Sequence, residues 1–153
     1  MSGPMDIVEL LSTVRLDDVR TIEETAKLAL DAAPDKGLGV FDESDANGEL
    51  TIQVNAVAWG SSIEIWFRTR YQTPSATLAA TVATVYRREE ATEIPDQTKR
   101  DFIEKVAVMA AYPYLRSALH ELAAKLRLGS LTLDILRQGE FRIAGAGGDG
   151  ETA

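Results

Sequence analysis

Cysteine is absent from the 153 residues. Its absence excludes a disulfide framework, a thiolate metal site and a cysteine nucleophile, and it makes the cytoplasm the expected compartment. Histidine occurs once, at His120, so no histidine pair can hold a metal within one subunit. No apolar run approaches the ~20 residues that a membrane span needs. The opening segment MSGPMDIVELL has no basic stretch ahead of its apolar residues, so neither a secretory leader nor membrane insertion is expected. Cations are also short: 16 Lys+Arg stand against 24 Asp+Glu, a formal charge of −8. Phosphate backbones are bound by clustered cations, so nucleic acid is not an expected partner. The acidic balance favours solubility, which matters most for a protein that displays apolar surface.

What is present is ordinary globular composition, with 45% hydrophobic and 26% charged residues. A chain of this length buries roughly 70% of its unfolded surface, and one domain is expected. Three segments alternate with period two: Leu50–Trp59, Ile63–Gln72 and Leu78–Arg88. Gly60-Ser61-Ser62 and Thr73-Pro74-Ser75 break the run between them. The spacing predicts three antiparallel strands joined by short turns. Val14–Glu24 reads as an irregular strand, in competition with a helix on Ile22, Ala26, Ala29, Leu30 and Ala33. Pro34–Asn47 reads as a linker.

After Pro95 the period lengthens. Phe102, Val106 and Met109 fit one face of a helix starting near Asp96–Thr98. Ala111-Tyr112-Pro113 is expected to interrupt it, with Pro113 in the first turn of a second helix. Leu115, Ala118, Leu119, Leu122, Ala123 and Leu126 line that helix, and Gly129 is the expected C-cap. Leu131, Leu133 and Ile135 follow as a short alternating segment. The class is therefore α+β: an antiparallel four-stranded meander followed by two C-terminal helices. Residues 1–13 are expected to be an arm, 14–143 the domain, and 144–153 a disordered Gly-rich acidic tail.

Several motifs dissolve on inspection. GAGGDG at Gly145–Gly150 has dinucleotide-loop spacing, but the sequence offers no helix after it to aim N–H groups at a pyrophosphate. His120-Glu121 opens like a zinc-protease helix, yet the second histidine would fall on Ala124. Glu43–Gly48 resembles half a calcium loop, but its closing glutamate would fall on Val54, within a strand. No convergent carboxylate pair is visible for acid–base work. Arg68, Arg70, Arg87 and Arg88, interleaved with Trp66 and Tyr71, read as a solvated sheet face or a protein-contact patch.

The sequence from Leu50 to Phe141 resembles the SecB protein-export chaperone family. The resemblance rests on the strand meander, the segment Ala111-Tyr112-Pro113-Tyr114-Leu115-Arg116 opening a long helix, and Leu128-Gly129-Ser130-Leu131-Thr132-Leu133 closing it. It implies a homotetramer, a dimer of dimers, that holds unfolded polypeptide in apolar grooves without ATP. It implies no cofactor and no catalytic residue. The client-binding residues it implies are Trp66, Val85, Tyr86, Phe102, Val106, Met109 and Tyr112. Leu115, Leu119, Leu122 and Leu126 would pack the second helix on its neighbours. Relatives that serve export dock the motor SecA through an acidic sheet surface and a characteristic tail; here arginines and a glycine-acidic tail stand instead. Either SecA or the antitoxin of a toxin–antitoxin–chaperone module is the implied partner. Two other classes stay open on the residues alone: a ligand-binding or enzymatic domain with a closed pocket over the sheet, for which His120 is the one candidate acid or base, and an oligomeric adaptor.

Overall fold

The computed structural model describes residues 5–28 and 48–128. Helix α1 (Ile7–Thr13) leads directly into β1 (Val14–Leu28); β2 (Glu49–Trp59), β3 (Ser62–Gln72) and β4 (Ala76–Arg88) follow, and then α2 (Asp96–Phe102), a π-helical stretch (Ile103–Ala107) and α3 (Val108–Lys125). One antiparallel sheet in the order β1-β4-β3-β2 carries the helices on one face.

The three hairpin-connected strands form the expected meander, with Phe67 opposite both Val54 and Val82. The fourth strand does not extend it in chain order. β1 lies beside β4, at the far edge from β2, so the four-stranded meander is corrected to a Greek key. β1 also settles the ambiguity at Val14: it is a strand, and it runs on to Leu28. Its irregularity is two register shifts, at Asp17 and Ile22. The first brings Leu16 opposite Tyr86 and Val19 opposite Thr84, so two apolar residues three apart share one face. Pairing with β4 along its whole length outweighs the helix propensity of Glu23, Glu24 and Ala26. Ala29, Leu30, Ala33 and the linker lie outside the described residues, as do Gly129, Leu131–Ile135, the acidic Glu43–Asn47 segment, GAGGDG and the tail.

α2, the π-helical stretch and α3 form one continuous helical run, in place of two helices broken at Pro113. Pro113 lies inside α3. A proline there forfeits its own N–H bond and crowds the preceding turn. The run continues because Ala111, Leu115, Leu119 and Leu122 form one buried stripe on either side of Pro113. α3 lies mainly over β4, with lesser contact to β1 and β3.

The helix stops in a Schellman motif. Leu128 N–H donates to Ala123 O at 3.0 Å and Arg127 N–H to Ala124 O at 3.0 Å, with Arg127 at φ 59° and Leu128 buried beneath it. The left-handed residue at this stop is thus Arg127, not the glycine two places on.

The core joins Ile63, Ile65 and Phe67 of β3 and Leu78 and Val82 of β4 to Phe102, Val108, Leu115 and Leu119. α1 starts with a full capping box: the Asp6 carboxylate accepts from Glu9 N–H at 2.9 Å, and the Glu9 carboxylate accepts from Asp6 N–H. Leu10 inserts into the core from the opposite end of the chain.

Candidate functional site

Alternation along a strand sends neighbouring side chains to opposite faces, and this divides the expected client-binding residues. In β4 the helix side carries Leu78, Val82 and Tyr86; the outer side carries Thr81, Ala83 and Val85. Trp66 pairs with Ala83 and therefore belongs to the outer side with Val85. Tyr86, Phe102, Val106, Met109 and Tyr112 belong to the helix side. One face therefore does not include all seven: five lie on the helix side, and Trp66 and Val85 on the outer side.

On that side an aromatic cluster joins sheet to helix. The rings of Tyr86 and Phe102 meet edge to face with centroids 4.8 Å apart, and Trp59 meets Phe102 edge to face at 6.1 Å. Lys99 stands over the Trp59 ring, its Nζ 5.6 Å from the centroid, a cation–π contact. Because α3 sits over β4, the helix side of β2 is less covered: Leu50, Ile52, Val54 and Trp59 are only partly buried. Val106 and Met109 are likewise partly buried at the margin of the core. The site therefore consists of apolar side chains in a row with accessible edges. Trp59, Leu50, Ile52 and Val54 were not singled out from the sequence. Their alternation was legible, but not that the helix would leave them uncovered.

The π-helical stretch determines which helix residues sit deepest. In an unbroken α-helix, Phe102, Val106 and Met109 would share a stripe. The extra residue in the wide turn moves Ala107, Val108 and Ala111 into the fully buried positions, leaving Val106 and Met109 at the edge. That displacement is what exposes them.

Burial controls the ionisable groups beside this site. Desolvation raises the Tyr86 phenol above its ordinary value, opposed by the nearby Thr84 hydroxyl. Desolvation lowers Arg88, opposed by the charge of Glu90. Arg88 is 7% exposed; its Nη1 donates to Gly60 O at 3.3 Å and its Nη2 to Thr92 Oγ1 at 2.7 Å. Thr84 Oγ1 and Tyr86 Oη, neighbours on the inward side of β4, have no buried partner beyond each other, and Arg88 Nε, next along that side, has none.

The outer face is polar. Trp66 Nε1 donates to Glu64 Oε2 at 2.6 Å, and Arg68 Nε to Thr81 Oγ1 at 3.5 Å. A shallow depression of about 300 Å³ lies between Gln53, Asn55, Trp66 and Arg68. The expected arginine patch does not assemble. Arg68 and Arg70 lie on the outer face, Arg87 pairs with Asp17 at 3.2 Å near the other end of the sheet, and Arg88 points inward with the opposite phase.

Leu115, Leu119 and Leu122 are buried in the subunit's own core, with Leu126 at its rim. Their packing is helix on sheet within the chain. Tyr114, Ser117, His120 and Glu121 occupy the exposed side of α3. His120 is thus a surface residue. Among the described residues no cluster of three or more His, Asp or Glu side chains could hold a metal, and no helix is long and apolar enough to cross a membrane.

No family model matches the chain. It is 31% identical over 138 residues to the SecB-like chaperone SmegB of Mycolicibacterium smegmatis, a match covering 90% of this chain and 86% of that protein. Among solved structures it is similar in fold to the Mycobacterium tuberculosis Rv1957 SecB-like chaperone in complex with a ChAD peptide from the Rv1956 HigA1 antitoxin. The TM-score is 0.68 at 17% sequence identity, covering 85% of this chain and 92% of that one.

Proposed function

The chain belongs to the SecB-like chaperone family, and we propose that it is an ATP-independent holdase that keeps non-native polypeptide from aggregating. The observation that carries this reading is the uncovered apolar edge on the helix side of the sheet, where Trp59, Val106 and Met109 stay partly exposed beside the Tyr86–Phe102 pair. Many partial apolar contacts along a row suit an extended chain of variable sequence better than one compact ligand. No step of such holding calls for a catalytic group or a nucleotide.

The client we favour is an antitoxin. The similar chaperone of known structure holds an antitoxin-derived peptide, and the outer sheet face here carries Arg68 and Arg70, a poor match to the acidic motor-docking surface of export relatives. SecA remains the competing partner. The working form is a cytoplasmic homotetramer built as a dimer of dimers, and the exposed side of α3 around Tyr114 is available to a neighbouring subunit.

The test is aggregation of a chemically unfolded model protein on dilution, at equimolar chaperone and without nucleotide. Suppression supports the holdase. Unchanged aggregation of both a model protein and a cognate antitoxin would remove it.

A further inference from the structure

α1 is held differently from the rest of the fold. Four of its seven residues, Ile7, Val8, Leu10 and Leu11, are large and apolar. They surround fewer than two turns: Leu10 is wholly buried, while Val8 is 70% and Leu11 42% exposed. A helix this short has no stability of its own in water. Outside its own capping box, two attachments stand out. Leu10 is seated in the core, and Thr98 Oγ1 of α2 donates to Met5 O at 2.7 Å.

Those attachments place α1 beside β1 and the first turn of α2. Met5 rests on Thr98, one turn before Phe102, and Met5, Glu9 and Ser12 share an open cavity of about 930 Å³ with Arg88 and Thr92, just past Tyr86. The element is therefore anchored at the start of α2 and under-packed toward the end of β4. Arg88, which lines that cavity, holds its Nε buried without a hydrogen-bond partner. Unpaired buried donors gain from any acceptor that reaches them. An extended polypeptide brings a carbonyl at every residue and an apolar side chain that can take the place of Leu10.

We propose that α1 is a displaceable lid: an unfolded client segment enters by replacing Leu10 and the Met5–Thr98 contact, and its backbone supplies an acceptor to Arg88 Nε. The proposal rests on the holdase reading and adds its regulation. Closed, the lid shields the aromatic pair from wrong partners, and open, it frees Val8, Leu10 and Leu11 as well as the groove. The energy of displacement is a threshold that a weakly apolar segment does not meet.

The cysteine-free chain permits a direct test. Met5→Cys/Thr98→Cys places one thiol on each side of the contact, so oxidation locks the lid and reduction frees it in the same molecule. The probe is fluorescently labelled, reduced and carboxymethylated α-lactalbumin, which is permanently unfolded and has no thiol to respond. Locking should weaken probe binding by roughly tenfold or more, since only the open fraction binds, and reduction should restore it. Leu10→Ala should bind more tightly than wild type and show faster amide exchange confined to α1. Equal binding in the oxidised and reduced states overturns the lid and leaves the holdase standing. Binding by Leu10→Ala but not by wild type supports the lid in its strongest form. No binding by either protein overturns both.

Discussion

Tyr86, near the end of β4, and Phe102, the last residue of α2, meet edge to face at 4.8 Å and 77°. This contact joins the sheet to the helical run at the point where the run widens into its π turn. Phe102 is fully buried, and large-to-small changes at such positions lose both transfer energy and packing. Phe102→Ala should cost about 3–5 kcal/mol, read as a lower midpoint in urea with an unchanged slope.

Tyr86→Phe should behave in the opposite way. The hydroxyl is buried, with only the neighbouring Thr84 hydroxyl to offset its desolvation, so removing it relieves a mostly uncompensated cost, and stability should rise by up to about 1 kcal/mol. The pH dependence separates this from a packing effect. Burial raises the folded-state phenol above its ordinary 10.0, so the folded chain keeps this proton after the unfolded chain has lost it. Below pH 10 the two states carry the same proton here and the term vanishes; as pH climbs past that value stability falls. Tyr86→Phe should lose less stability than wild type over that alkaline window, measured by urea unfolding at a series of pH values.

The π turn predicts an unusual tolerance. A single wide turn absorbs one extra residue while the flanking helices keep their faces. Deleting the exposed Lys105, inside Ile103–Ala107, should convert the stretch to ordinary α-helix, keep Phe102 and Leu115 buried, and cost about 1 kcal/mol or less beyond its ion pair with Asp101. Deleting the exposed Ser117 in α3 should rotate Ala118, Leu119 and Leu122 off the sheet and cost more than about 3 kcal/mol. Thermal unfolding of the two variants decides it. Equal damage would mean that the turn is not a one-residue insertion.

This turn also marks what the sequence carried and what it did not. Period-two alternation in β2, β3 and β4 was plain, because each strand has one face on the core and the breaks fall at Gly60-Ser61-Ser62 and Thr73-Pro74-Ser75. Strand order was not, since no local signal says that β1 pairs with β4 instead of β2. Phe102, Val106 and Met109 fit a helical stripe on paper; the stripe failed by one residue, and nothing local to Ile103–Ala107 announces a π turn. Pro113 was given the weight it has in an isolated helix, and the leucine stripe beyond it outweighed that. α1 falls in the segment expected to be an arm, although its start was legible. Asp6 and Glu9 stand three apart ahead of Leu10 and Leu11, the spacing of a capping box.

Arg127 offers a simple gain. It holds φ 59° at the end of α3, where a side chain is strained and glycine is not. Arg127→Gly should stabilise the chain by about 0.5–1 kcal/mol, seen as a higher midpoint in urea. A loss would mean that the arginine stem contributes packing that outweighs its backbone strain.

Met109 and Trp66 test which face of the sheet receives a client. The family resemblance placed both in one groove, but the register puts Trp66 on the outer face opposite Ala83, with its indole hydrogen-bonded to Glu64, while Met109 lies at the edge of the core on the helix side. Truncating a half-exposed methionine removes about 1 kcal/mol of apolar contact with a bound chain, close to fivefold in affinity. Met109→Ala should therefore weaken binding of an unfolded probe by roughly that factor with little change in thermal stability, and Trp66→Ala should leave binding within about twofold. The reverse pattern, with Trp66→Ala weakening the complex and Met109→Ala silent, would move the client to the outer face. There Gln53, Asn55 and Arg68 would have to supply the contacts, and a polar surface of that kind would select its client by hydrogen bonding and charge instead of by apolar area.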